Sequence, residues 1–306
     1  MEKLDFSQKD VQVLSLDDLK RTIHENYSNG MPCSGIYHFQ LLEGLLEMLE
    51  KGGFKPYVSE IFAANNQDKY RPGVSIDERV KHEKGEWSLE SLILRRIFAN
   101  IEVAPTSVEG TAINMAVAYH QKGINVAFGP YVRVCHNQTI LGAKDVFTTI
   151  NISQAVGRLE VSKNITPMFE KIGEYIQALA ERSVSMVKIV NDFKSREFEQ
   201  KHMEYILFRL MEARIRHDSN ASVIHSATEY PLSSSQINSA VERYLVEDSY
   251  KKPTGDNEEK YERMTWWDAL NIFNFDLKPE SCNIPSIIGQ SYGLGDLFVN
   301  SFNADI

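Results

Sequence analysis

One pair of neighbouring residues in this sequence combines a thiol with a possible base, and it is Cys135 followed by His136. A cysteine becomes a strong nucleophile when a nearby group takes its proton, and histidine is a common proton acceptor. Adjacent residues of a strand point to opposite faces, so these two side chains would not hydrogen-bond to each other. A site would need His120 or Asp145 from elsewhere. We expect Cys135 to be buried and His136 to lie at the surface. A hydrolase that uses Cys135 is kept as one hypothesis for function, after the two that are given at the end of this section.

The other residue types that could do chemistry lack the spacing that the chemistry needs. The sequence contains no His-Glu-x-x-His, no Cys-x-x-Cys and no phosphate loop with its lysine. The pair Gly293 and Gly295 lacks the third glycine of a nucleotide loop and is expected to form a turn. The acidic pairs 77–78 and 258–259 fall in polar loops, where solvated charge is expected. We therefore predict no catalytic residue, no metal and no cofactor. The histidines without a carboxylate partner at metal-ligand spacing are His24, His38, His82, His120, His136, His202, His217 and His225.

The chain is organised around residues 166–217, which the sequence predicts to be a long helical rod. Thr166 and Pro167 are typical of a helix start, because threonine caps free N–H groups and proline is tolerated in the first turn. Apolar residues then recur every seven positions in two series, which is typical of a coiled-coil seam. The series are Met168, Tyr175, Arg182 and Ile189, and Ile172, Leu179, Met186 and Phe193.

After residues 191–192 the phase of the pattern slips. A continuous helix would be on the order of 75 Å long, and a break near residues 191–195 would give two helices instead. A rod of this length separates two modules or pairs with a copy of itself. We therefore predict a partner or oligomer interface at Ile172, Leu179, Met186 and Phe193. The second apolar set is Phe198, Tyr205, Ile206, Leu210, Met211 and Ile215.

The N-terminal half predicts an antiparallel sheet with helices. Two β-rich runs, residues 112–121 and 124–135, flank a glycine-containing turn and predict a hairpin, with a bulge or a bend at Gly129 and Pro130. Residues 54–64 predict an edge strand because of Pro56. Helices are predicted at residues 16–26, from Ser34 to the glycines at 52–53, and at 87–100, and further strands at 139–141 and 146–152.

The C-terminal third predicts short helices, one from residues 232–235 to 246 and one at 266–273 that Thr265 caps. It is unusually rich in aromatic residues, which either fill a small core or form a binding patch. We include in the predicted partner or oligomer interface the residues Trp266, Trp267, Phe273, Phe275, Tyr292 and Leu294.

Composition and charge exclude several classes of protein. The 306 residues carry a net charge of −9, and residues 218–306 contain six Lys or Arg against fourteen Asp or Glu. A protein that neutralises phosphates needs a basic face, which only the hairpin and the rod could supply. No apolar run approaches the roughly 18 residues that a membrane helix needs, and no signal-peptide core is present. We expect a cytoplasmic protein whose three cysteines are reduced.

Two stretches resemble a phage and plasmid-related family. They are residues 120–141, HQKGINVAFGPYVRVCHNQTIL, and residues 265–271, TWWDALN. In layout, a globular N-terminal part, a helical rod and a small C-terminal part resemble the phage-encoded Gabija anti-defence family. Members of that family join and wrap a host nuclease–helicase complex and block its access to DNA. The resemblance implies that residues 166–217 form an arm, that residues 232–306 form a shoulder, and that no residue is catalytic.

These observations predict an α+β fold with three parts. Residues 1–157 form an antiparallel-sheet domain, residues 158–217 a long helical arm, and residues 218–306 a small, mostly helical interaction module. The leading hypothesis is a non-catalytic phage protein that oligomerises in the host cytoplasm and blocks a host defence complex. The alternative is a DNA-binding recombination or annealing protein of a mobile element. Whether the hairpin contacts nucleic acid is left open by the sequence.

Overall fold

The computed structural model describes most of the chain. The described residues are 11–23, 38–64, 96–107, 111–120, 123–132, 137–141, 146–150, 158–219, 226–250, 263–277 and 284–304. The described ranges do not include the residues of several predictions, namely Cys135, His136, Asp145, Ser34, His24, His82, His225 and the two acidic pairs.

The described strands form one antiparallel sheet in which each of the first five pairs with the next one in the chain. The last two strands both pair with β5, β6 at its carboxyl end and β7 at its amino end. Together with the helices, this sheet confirms the predicted α+β class. The strands are β1 Val11–Leu14, β2 Tyr57–Ala64, β3 Arg96–Pro105, β4 Thr111–His120, β5 Gly123–Val132, β6 Asn137–Gln138 and β7 Val146–Ile150.

The helix that ends at Lys51 stops at the predicted glycines 52–53. Gly53, two residues after Lys51, has φ of 87°, a left-handed conformation that glycine adopts without strain. The helices are α1 Leu16–Ile23, α2 His38–Lys51, α3 Arg158–Gln177, α4 Leu179–Ser195, α5 Gln200–Asp218, α6 Ser226–Glu229, α7 Ser234–Tyr250, α8 Trp266–Asn274 and α9 Ile284–Asn303.

The predicted hairpin is confirmed as β4 and β5, but the predicted bulge is not there. Gly129 and Pro130 pair with Asn114 and Ile113 in an unbroken register. The described register shifts lie elsewhere, between β2 and β3 and between β3 and β4. The Pro130 carbonyl accepts a hydrogen bond from the N–H of Thr139, on the side of β5 that faces away from β4. The missing N–H of Pro130 is on that side too, so it removes no hydrogen bond between β4 and β5.

Alternating side chains of the strands give the sheet two apolar faces. One face packs against α2, α3 and the start of α4, and we call this cluster the sheet core. The other face is lined by small residues such as Ala116 and Ala127, which let Ile287 and Ile288 of α9 approach closely. Gly295 of α9 lies against the segment that follows β6, where a Cβ on this residue would be 1.9 Å from the carbonyl oxygen of Ile140.

A second cluster, the C-terminal core, is built from the end of α4 and from α5, α7, α8 and α9. The α8 helix begins at the predicted cap, where the Thr265 hydroxyl accepts a hydrogen bond from the Asp268 N–H. The buried Asn274 amide donates to the Thr139 hydroxyl at 3.1 Å and links this core to the sheet. The C-terminal part is therefore packed onto the sheet domain.

The predicted rod consists of three helices, so neither the single helix nor the pair of helices that the sequence suggested is correct. The first helix starts at Arg158 and contains Pro167, so that proline does not mark its start. The helix that contains Pro167 lies against β7. The chain is interrupted at Ala178 and again at Arg196, whose φ and ψ of −114° and 132° are extended. The second break directly follows the predicted range 191–195.

Two further predictions for the sheet domain are wrong. Residues 87–100 do not form one helix, because β3 begins at Arg96, while residues 87–95 lie outside the described part. Residues 57–64 are not an edge strand, because β1 pairs with the free side of β2. Pro56 precedes the strand and therefore removes no hydrogen bond from the ladder.

Candidate interaction surface

The helix α5 is fixed at its start by a capping box. The Glu199 side chain accepts from the N–H of His202, and the N–H of Glu199 donates to His202 Nδ1 at 2.8 Å. Just before it, the Phe198 N–H donates to the Met264 carbonyl at 2.8 Å, and the Trp266 N–H donates to the Arg196 carbonyl at 3.2 Å. These two bonds tie the α4–α5 connection to the segment that leads into α8.

One side of α5 is buried in the C-terminal core. Met203, Ile206, Leu210 and Ala213 are all at most 4% exposed. Their spacing of three or four residues places them on one face of the helix. This face holds α5 firmly against the body of the protein.

The opposite side of α5 carries three large apolar residues that are open to solvent. Phe208, Met211 and Ile215 are 64%, 57% and 66% exposed. They lie at positions i, i+3 and i+7, so they form one line along the helix. We call these three residues the α5 stripe. Single exposed apolar residues are common, but a line of three on a rigid helix is typical of an interaction surface.

Ion pairs flank the α5 stripe. Glu212 accepts from Arg216 Nε at 2.9 Å and also from Arg209, and Arg214 Nε donates to Asp218 at 2.8 Å. Hydrogen bonds from His217 and Arg214 lower the pKa of Asp218 below its usual value. Much of the positive charge in this half of the helix is thus balanced within the helix itself.

The predicted interface residues of the rod are buried inside the chain. Ile172, Leu179, Met186 and Phe193 are between 0% and 4% exposed. The first three belong to the sheet core and Phe193 belongs to the C-terminal core. The seam therefore packs against the protein's own sheet and helices, and it offers no surface to a second molecule. Arg182, which interrupts the seam, lies 4.4 Å from the centre of the Tyr175 ring.

The aromatic residues of the C-terminal part are likewise core residues for the most part. Trp266, Trp267, Phe273 and Leu294 are at most 5% exposed, whereas Phe275 and Tyr292 are half-buried. The Trp266 ring lies 5.0 Å from Phe198 and 6.0 Å from Phe298, edge-on to both. The alternative that these side chains fill a core is the correct one, because α5 and α9 supply the apolar surface that the short module lacks.

The exposed stripe was only partly visible in the sequence. Met211 and Ile215 stand in the second apolar set of the predicted rod, but Phe208 does not. The available signal was that α5 carries apolar residues on both sides, whereas a helix at the surface usually has one apolar face. A sequence pattern alone does not say which of the two sides is buried.

Two polar features of the sheet domain do not form a reactive centre. The amide of Asn114 donates to Asn100 at 3.0 Å, and the Tyr57 hydroxyl donates to Glu102 at 2.9 Å, so these residues bond across neighbouring strands. Buried polar pairs of this kind favour one register of a sheet. They are part of the face that packs against α9.

A cleft of about 230 Å³ lies between the carboxyl end of β3, the beginning of β4 and the first half of α4. Its lining is mostly apolar, with hydroxyl groups as its polar part, and it contains no acid, base or thiol. The lining therefore offers no side chain that could act as a general base and activate one of these hydroxyl groups as a nucleophile. Its lining residues are Phe54, Ala104, Thr106, Ser107, Ile113, Leu179, Ser183, Val184 and Val187.

Within the described ranges, no group of three His, Cys, Asp or Glu side chains could hold a metal ion. None of the described helices is long and apolar enough to cross a membrane. No protein-family model matches the sequence, and no curated protein and no solved structure matches it. The functional inference therefore rests on the geometry of the chain.

Proposed function

We propose that this chain is a non-catalytic phage protein that oligomerises and binds a host anti-phage defence complex of the Gabija nuclease–helicase type, so that the complex cannot reach DNA. The observation that supports a binding function is the α5 stripe. An apolar line on a helix that is anchored on its other side suits recognition by packing. The choice of target comes from the resemblance in layout, with one change: α3, α4 and α5 lie on the body and do not form a separate arm.

The α5 stripe has the properties that a protein-binding surface needs. Its backbone is held by the capping box and by the four buried residues on the opposite face. A rigid surface loses little conformational entropy when it binds. The ion pairs of Glu212 and Asp218 form a polar rim around an apolar centre, which is the usual arrangement at protein interfaces.

The alternative, a DNA-binding recombination or annealing protein, has less support from the geometry. The side chains of residues 111–119 in the hairpin are all buried, so this strand presents no face to a nucleic acid. The arginines of α5 are paired with carboxylates, which lowers their attraction for phosphate.

The test uses a purified nuclease–helicase complex of the Gabija type and measures its DNA cleavage with increasing amounts of this protein. The wild-type chain is expected to inhibit cleavage, and Met211→Glu is expected to weaken inhibition by at least about tenfold, because a charge in the α5 stripe disrupts the oligomerisation that the proposal includes. Leu245→Glu is the matched control, since Leu245 is 60% exposed on α7. Undiminished cleavage at saturating wild-type protein would refute the proposed target. Salt-sensitive binding to single-stranded DNA by the wild type would favour the alternative.

A further inference from the structure

We infer that the occupant of the α5 stripe is the α5 stripe of a second copy, with the two helices antiparallel about a two-fold axis. This inference rests on the oligomerisation that the proposed function includes, and it names the surface through which two copies meet. The argument uses the order of residues along α5 and their charges.

The stripe continues in both directions with charged residues on the same line. Lys201 lies seven residues before Phe208, and Asp218 lies seven residues after Met211, so each stands two turns further along the same side. Both are exposed, with side-chain exposures of 62% and 53%. Glu204, which is also exposed, lies on this line between Lys201 and Phe208, so the order along the helix is Lys201, Glu204, the three apolar residues and Asp218.

Such a line is complementary to its own reversed copy. When Phe208 of one helix is placed opposite Met211 of the other, Lys201 of each copy falls opposite Asp218 of the other. Glu204 then falls opposite Ile215 of the other copy and next to Arg214, which is the residue before it. A parallel pair would instead place Lys201 against Lys201 and Asp218 against Asp218. The charge order thus selects the antiparallel arrangement, and a two-fold axis makes each contact occur twice.

The size of the surface predicts a weak and reversible dimer. A stable interface buries about 800 Å² on each partner, and three side chains that are a little over half exposed supply only part of that area. The rest comes from polar flanking residues such as Lys201 and Asp218, whose contacts contribute little. We expect a dissociation constant in the micromolar range.

Sedimentation velocity of the full chain at increasing concentration tests the inference. The wild type is expected to show a monomer–dimer equilibrium, and Met211→Glu is expected to stay monomeric over the same range. Leu245→Glu is the control and is expected to dimerise as the wild type does. A wild type that remains monomeric up to about 300 µM would overturn the inference.

A charge exchange tests the antiparallel register. Lys201→Glu places a carboxylate opposite Asp218 of the other copy and is expected to weaken the dimer by about tenfold, because the contact occurs twice. The double variant Lys201→Glu with Asp218→Lys restores opposite charges and is expected to dimerise within about twofold of the wild type. Both changes suit the helix dipole, so lost dimerisation would not come from an unstable helix. A double variant as weak as the single one would refute this register.

The two proposals can fail separately. If the wild type dimerises and the charge exchange restores the dimer, the self-pairing stands even when the purified defence complex is not inhibited. If the wild type inhibits the complex but stays monomeric, the proposed target stands and the self-pairing is wrong.

Discussion

Replacing His38 with phenylalanine is expected to reduce the loss of stability that the protein undergoes in acid. His38 begins α2, is 2% exposed, and its ring lies 4.2 Å from Tyr119 in an edge-on arrangement. Burial lowers the pKa of His38 from 6.5 to about 3. The imidazole therefore stays neutral in the folded protein over a pH range in which the unfolded chain takes up a proton.

The direction in which the stability changes with pH follows from proton linkage. Because the pKa of His38 is lower in the folded state, the unfolded state binds more protons, and stability falls as the pH drops below 6.5. Each pH unit between 6.5 and about 3 contributes about 1.4 kcal/mol. At pH 4.5 the wild type should have lost about 3 kcal/mol from this one group, and above pH 6.5 the contribution is fully present.

Urea unfolding followed by circular dichroism at pH 7.5, 6.0, 5.0 and 4.5 measures the effect. The phenylalanine ring can keep the edge-on contact with Tyr119 but cannot bind a proton, so His38→Phe should gain on the wild type as the pH falls. Leu45→Val is the control, because Leu45 is fully buried in the same helix and has no titrating group, so this change should lower the stability equally at every pH. Parallel stability curves for the wild type and His38→Phe would show that this burial argument is wrong.

Four further substitutions test the packing of the C-terminal part, each by thermal unfolding at low protein concentration. Gly295→Ala should cost about 3 kcal/mol or more, because its Cβ would meet the Ile140 carbonyl oxygen at 1.9 Å; an unchanged melting temperature would contradict this close approach. Thr265→Ala should cost about 1 kcal/mol through the lost cap of α8. Leu210→Ala should cost about 3 kcal/mol, whereas Met211→Ala should change the stability by less than about 0.5 kcal/mol, and equal effects would mean that the two sides of α5 are wrongly assigned.

The elements that were predicted correctly are those with strong local signals. The β4–β5 hairpin combines β-rich runs with a glycine-containing turn, and α8 begins at Thr265 with Asp268 three residues later. Such signals involve residues close in sequence, so they act before any tertiary contact is made. The end of α2 at the glycines 52–53 belongs to the same class.

The elements that were predicted incorrectly are those whose partner lies far away in the chain. The heptad series with Ile172 and Phe193 has the pattern of an intermolecular seam, and the same pattern serves equally well for packing on a sheet. In β3, residues 96–100 continue a run with helical spacing, but pairing with β2 and β4 on both sides makes them a strand. Propensity is a weak preference, and long-range pairing overrides it.

The sequence by itself determined the α+β class, the hairpin, the cap of α8 and the uneven charge, because each depends on composition or on neighbouring residues. Only the tertiary structure decided which apolar residues are core and which are surface. Phe193 and Phe208 both lie in the predicted rod, yet one is 1% exposed and the other 64% exposed. The physical reason is that a side chain is buried by what packs against it, and for Phe193 that is α8 and α9, some 70 to 110 residues further along the chain.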